Sequence, residues 1–322
     1  MVKLEPKTSD CCVWEKDKLL VDTLAAMQTK LPLYIDLRSE GPAFDQLDLA
    51  SPLLQMCELQ GYPVDKILIE TCNLVEDNTD FEFKIVPPMH FVENTQQKLH
   101  NKFTTKNIQY TFGHFIGRSN APRLYLASHL FAYHKDKTLQ TFHYDSTLDF
   151  HRANLGLDTM IEMFGASSLL AAESLLMHCP IKSTDTVAYP MLMNQHCNIA
   201  PQYQNFFVDI VCETYFSGNT FFPTEKTWRP IVMQTPFLMQ GPKYFLARLQ
   251  ELGFQTFNEW WDEGYDQDDT CYALQEIVKI IDTLSSADVR AMYSEMSEVL
   301  EHNHKHFLSL TEDDFEVFRN AK

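Results

Sequence analysis

The residues of this chain best suited to chemistry are Thr224, Glu225 and Lys226, which open a helical stretch after a loop containing Gly218 and Asn219. A threonine there can cap the helix. The free N–H groups and positive dipole end of the first turn then favour an anion, and Lys226 adds a full charge beside them. That is the chemistry of a diphosphate seat. Arg123, at the end of the polar loop Gly117-Arg118-Ser119-Asn120-Ala121-Pro122-Arg123, is a second cation in reach of the same anion. The alternative is a solvated glutamate–lysine pair on an ordinary capped surface helix.

Positioning these groups requires strands that end at the loops carrying them. Tyr110–Ile116 reads as a strand running into the Gly117–Arg123 loop, with Pro122 suited to a first helical turn and Leu124–Tyr133 apolar at helical spacing. Leu139–Tyr144 is a further strand, Phe206–Val211 is the strongest strand of the second half, and Thr235–Met239 precedes Gly241-Pro242. Pro230, six positions into the proposed helix, predicts a short or kinked first turn. In the first third, Leu31–Leu37 reads as a strand stopping at the turn Arg38-Ser39-Glu40-Gly41-Pro42. Pro52–Leu59 reads as a helix, Lys66–Glu70 and Phe81–Val86 as strands, and the polar stretch Asn94–Asn107 as a linker. The tail Tyr272–Phe307 reads as helical with a break near Ser285. Alternating helices and strands predict an α/β chain with two parallel sheets, whose ligands bind beyond the carboxyl ends of the strands.

Composition narrows the function. The 322 residues suffice for one or two domains, and 45% hydrophobic with 12% aromatic residues describes a folded chain. A net charge of -18 repels polyphosphates at long range, which disfavours a nucleic-acid-coating role and leaves room for a local pocket for one small anion. No stretch of apolar residues is long enough to span a bilayer and the amino terminus lacks a secretory pattern, so a non-membrane, cytoplasmic protein is expected. Eight cysteines without a C-x-x-C pair signal neither a zinc ribbon nor a disulfide framework, which fits reduced thiols.

Glu213, followed eleven positions later by Thr224-Glu-Lys-x-Trp-Arg and then by Thr235-Pro-Phe-Leu-Met-Gln-Gly-Pro242, resembles the donor-binding signature of the α-1,3-fucosyltransferases. Ser119-Asn120-x-x-Arg123 is similar to an upstream block of the same family. Together the two blocks cover about a fifth of the chain. Thr214 and Pro230 depart from the family pattern, which has asparagine at both positions. The phrase around Leu252–Asp266 also looks like small glycosyltransferase-like proteins of phages and other viruses.

The resemblance implies a GT-B glycosyltransferase: two Rossmann-like domains with parallel sheets facing across a cleft, and a helical tail. Residues 1–105 would form the acceptor side, 106–270 the nucleotide-sugar domain, and 271–322 helices packing back across both. By the same resemblance Lys226 and Arg123 neutralise the diphosphate of a nucleotide-diphosphate sugar, a GDP-sugar being favoured, with Arg118 and Asn120 beside them. Glu225 accepts from the nucleotide ribose, and Glu213 faces the donor sugar or its ribose. The implied reaction is an inverting transfer to a hydroxyl acceptor on a glycan or other molecule, with the nucleotide sugar as co-substrate and neither cofactor nor metal required.

Such a transfer needs a base for the acceptor hydroxyl while the leaving diphosphate is stabilised. Glu40, in the turn after the first strand, is the first candidate, its alternative being an exposed turn glutamate beside Arg38. Glu93 is the second. Two other readings keep the fold. One makes the acceptor a hydroxymethylated DNA base in a phage or viral setting, served by a basic groove around Lys66, Lys84, Lys98, Lys102 and Lys106. The other is a domain that binds a nucleotide or carbohydrate without turnover. His302, His304 and His306 read as a solvated helix face rather than a metal site, and the acidic run Asp262–Asp269 as solvated.

Overall fold

The computed structural model of the chain describes residues 1–5, 8–9, 13–14, 16–38, 41, 43–99, 105–183 and 199–319. The chain divides into two compact units. One comprises Met1–Met89, Ser217–Phe222 and Thr311–Lys322, and the other His90–Phe216 and Pro223–Leu310. Among the described residues no helix is long and apolar enough to cross a membrane.

The first unit contains β1 (Val2–Leu4), the small ribbon β2 (Thr8–Ser9) and β3 (Val13–Trp14), α1 (Lys16–Met27), β4 (Leu33–Leu37), α2 (Ala50–Gln60), β5 (Ile67–Thr71) and β6 (Glu82–Ile85). Its main sheet is parallel throughout, in the order β1-β4-β5-β6. Alternation along the strands sorts the side chains. Leu33, Ile35, Leu37, Ile67 and Ile69 join Leu19 and Met27 of α1 and Leu53 and Cys57 of α2 in one buried core. The intervening positions Asp36, Glu70 and Lys84 stand in register across three strands. Sequence periodicity anticipates β4, α2, β5 and β6 and misses β1 and α1, because a three-residue strand and a charge-rich helix carry little periodic signal.

The second unit begins with α3 (Met89–Leu99), which corrects the reading of Asn94–Asn107 as a linker. Val92, Thr95 and Leu99 are buried along one stripe, but polar residues occupy most other positions and conceal it. The remaining elements are β7 (Tyr110–Ile116), α4 (Ala121–His134), β8 (Thr138–Phe142), α5 (Asp149–Ala153), α6 (Leu157–Phe164), α7 (Ser167–Leu176), β9 (Phe206–Cys212), α8 (Glu225–Val232), β10 (Phe237–Gln240) and α9 (Phe245–Glu251). After them come α10 (Thr270–Leu284), α11 (Val289–Glu295) and α12 (Ser297–Ser309), while α13 (Glu316–Arg319) belongs to the first unit.

The second sheet is also parallel, in the order β10-β9-β7-β8. All seven residues of β9 are buried, as a strand covered on both faces requires. Gly113 on β7 allows the Phe206 ring to pack where a Cβ would lie 2.5 Å away. The chain leaves β7 through α4 toward β8 and leaves β9 through α8 toward β10, so the connections run outward in opposite directions from two adjacent strands. This is the topological switch point of an open α/β sheet, where the loops after the strands part and leave a crevice for a ligand.

Candidate functional site

The loops after β7 and β9 carry the residues singled out from sequence. Asn120 is extended (φ -156°, ψ 177°) and caps α4, its side-chain oxygen accepting from the Arg123 N–H at 3.1 Å. Thr224 caps α8, and its hydroxyl accepts from the Lys226 N–H. Two capped helix starts thus lie beyond the ends of neighbouring strands.

Glu213, the first residue after β9, is 1% exposed. Its Oε1 accepts from Thr224 N at 3.0 Å, Thr227 N at 3.3 Å and Thr227 Oγ1 at 2.5 Å. Its Oε2 accepts from Thr224 Oγ1 at 2.7 Å and Thr214 N at 3.0 Å. In a capping box the third helical residue supplies the carboxylate. Here that residue is Thr227, and the carboxylate arrives from Glu213 instead. The structure therefore turns both oxygens of Glu213 onto the amino end of α8, where the dipole favours an anion. No sequence rule pairs Glu213 with Thr227, because the partners meet only when β9 ends against α8.

Arg123 is 8% exposed and holds the same corner from the other side. Its Nη1 donates to Arg118 O at 3.0 Å, and its Nη2 donates to Glu213 O at 2.6 Å and Cys212 O at 3.3 Å. The guanidinium thereby ties the loop after β7 to the end of β9. Burial lowers its pKa from the usual arginine value, partly opposed by the Cys212 and Glu213 groups. Its Nε–H is buried without a protein partner. Ser119 Oγ donates to Leu155 O at 2.8 Å, and Gly156, at φ +78°, abuts the Asn120–Ala121 backbone.

Lys226 is the more accessible cation, its side chain 24% exposed. The ammonium lies 2.9 Å from Thr224 Oγ1, 3.3 Å from Thr214 Oγ1 and 3.1 Å from Glu225 Oε1. Thr214, which departs from the resembled pattern, thus serves as a hydroxyl partner of Lys226.

Glu40 lies outside the described residues. The strand leading toward it ends at Leu37, and the guanidinium of the next residue, Arg38, pairs with Asp36 at 2.7 Å and Glu70 at 3.0 Å; Glu70 also takes Lys84 at 2.6 Å. Burial acts to raise the Asp36 pKa, but hydrogen bonds from Arg38 and Lys3 outweigh it and hold the carboxyl at about 2. A cavity of about 580 Å³ opens beside Arg38, Glu70, Lys84 and Glu312 within this unit. Glu93 is an exposed residue of α3.

Lys84, Lys98 and Lys106 of the expected basic groove are engaged within the protein. Lys84 is paired with Glu70, and Lys106 donates to Tyr203 O at 2.5 Å, Phe206 O at 3.2 Å and Thr235 Oγ1 at 2.6 Å. Burial pushes the Lys106 amine down to about 7. Lys106 also borders a cavity of about 680 Å³ at the amino ends of the strands, the opposite edge of the sheet from the switch point. The capped helix starts with Arg123 and Lys226 stand at the switch point, away from this cavity.

Two surface readings hold in part. His302 Nε2, His304 Nδ1 and His306 Nε2 bond the carbonyls of Gly253, Val232 and Leu252 and so fasten α12 to the rest of the unit, while His302 stays exposed. Within the acidic run Asp262, Asp268 and Asp269 are exposed, whereas Asp266 accepts from Leu246 N at 2.9 Å and Ala247 N at 3.1 Å at the start of α9. Comparison of the chain with protein-family models and with curated proteins finds no match.

Proposed function

We propose that this protein is an inverting glycosyltransferase that takes a sugar from a nucleotide-diphosphate donor, a GDP-sugar being favoured, and passes it to a hydroxyl acceptor. The observation that carries the proposal is the part-exposed Lys226 ammonium beside two helix starts at the switch point of a parallel sheet, held in place by Arg123 and Glu213. A cation and a helix amino end at that place suit a diphosphate.

Within this reading the roles divide. Lys226 contacts the diphosphate and stabilises the charge that develops as the sugar leaves. Glu225 accepts from the nucleotide ribose. Arg123 and Glu213 are positioning residues: Arg123 holds three main-chain carbonyls in place, and Glu213 holds the amino end of α8. Arg118 and Asn120 frame the loop after β7. The acceptor proton goes to a carboxylate, with Glu40 first and Glu93 second.

Thermal unfolding in the presence of GDP, UDP, ADP and CMP tests the nucleotide, because a ligand at 100 times its dissociation constant stabilises by about 2.7 kcal/mol. A shift with one nucleoside diphosphate that is lost in Lys226→Ala supports the reading. No shift with any of them removes the donor site.

A further inference from the structure

We propose that His129, His134 and Asp282 form a binding site for one divalent transition-metal ion of the zinc class, with a fourth position open to water. His129 and His134 lie on the carboxyl half of α4 and Asp282 on the last turn of α10. The Nε2 atoms of both imidazoles converge on the same oxygen, Asp282 Oδ1, at 2.8 and 2.7 Å. The three ligand atoms lie within 4.8 Å of one another.

The geometry needs little change to hold a metal. Zinc–ligand bonds of about 2.0–2.1 Å in tetrahedral arrangement separate ligand atoms by about 3.3 Å. Each imidazole therefore has to retreat from the carboxylate by about 0.5 Å, and the two Nε2 atoms, at most 4.8 Å apart, have to settle about 3.3 Å from each other. Two imidazoles and one carboxylate make a borderline nitrogen–oxygen set, which suits zinc, cobalt or nickel better than magnesium or calcium. The imidazoles are 15% and 11% exposed and the carboxylate 52%, so one side stays open to water.

The electrostatic setting favours a cation independently of the ligands. α4 ends at His134 and α10 at Leu284, so two helix carboxyl ends, each the negative pole of its dipole, approach the cluster. Lys137 donates to Ser285 O at the end of α10 and offsets part of that field, leaving the end of α4 and the Asp282 carboxylate to attract the ion.

The cluster stands apart from the switch-point site. His134 follows Arg123 by eleven residues of one helix, about 16 Å along its axis. A metal there would pin α4 to α10 without meeting a ligand at the amino end of α4.

The test uses the full chain, stripped with a chelator and titrated with Co²⁺. One equivalent is expected to give the visible band of four- or five-coordinate cobalt, bleached by Zn²⁺ and unaffected by excess Mg²⁺. His134→Ala and Asp282→Asn should each weaken binding by about tenfold or more. The double variant His302→Gln/His306→Gln should leave it unchanged. Absence of the band overturns the proposal, as does a band retained in Asp282→Asn or lost only in the His302/His306 variant. Should His134→Ala fail to fold, Asp282→Asn still decides, since its half-exposed side chain keeps its shape.

Discussion

Replacing Glu213 by glutamine keeps the volume and removes the charge, which isolates what the carboxylate does for α8. It accepts five hydrogen bonds at 2.5–3.3 Å while 1% exposed. If the glutamine oxygen takes the place of Oε1, its amide N–H₂ faces the Thr214 N–H, and two donors oppose each other. The Thr224 hydroxyl can turn to accept, but it already lies 2.9 Å from the Lys226 ammonium. One charge-assisted bond of about 1.5–3 kcal/mol is lost, and a part-buried N–H is left to find water at about 1 kcal/mol. The expected destabilisation is about 2–4 kcal/mol. Urea unfolding followed by tryptophan fluorescence reads it, because Trp228, Trp260 and Trp261 all belong to the second unit. A Glu213→Gln variant as stable as the parent, yet deficient in nucleotide binding, would refute the internal clamp and make Glu213 a ligand contact.

Lys226→Ala should leave the fold intact and weaken nucleoside-diphosphate binding by about 1.5–3 kcal/mol, read by calorimetry; unchanged affinity excludes Lys226 as a contact. Glu40→Gln should preserve nucleotide binding while turnover falls about 10²–10⁴-fold and the acidic limb of the pH profile disappears; a surviving limb transfers the role to Glu93. Asp36 titrates at about 2 against 3.8 unperturbed, so its contribution of about 2 kcal/mol is complete above about pH 4–5 and drains away as pH falls from there through about 2. Asp36→Asn should therefore lower stability at pH 7 and hardly at all near pH 2, and an equal loss at both would exclude the ion-pair explanation. Gly156→Ala places a Cβ against the Asn120–Ala121 backbone at φ +78° and should destabilise the second unit by about 1–3 kcal/mol, measured by the same urea unfolding.

The sequence by itself determined the alternation of elements around the site. The apolar runs at 110–116 and 206–211, the capping residue Thr224, the first-turn Pro122 and the break near Ser285 are all local signals, and local physics reads them. It also determined that cations would stand near the starts of two helices. Tertiary structure decided which of those groups face inward. Glu213 and Arg123 look alike in sequence as candidates for a ligand, but both are buried against main chain: Glu213 caps α8 and Arg123 binds carbonyls, while Lys226 keeps more of its side chain in reach of solvent. The His129–His134–Asp282 cluster and the Asp36–Glu70–Lys84 register likewise join residues from separate elements, up to 153 positions apart. Periodicity describes one element at a time, whereas these arrangements exist only after strands have paired and helices have packed, so no window of sequence contains them.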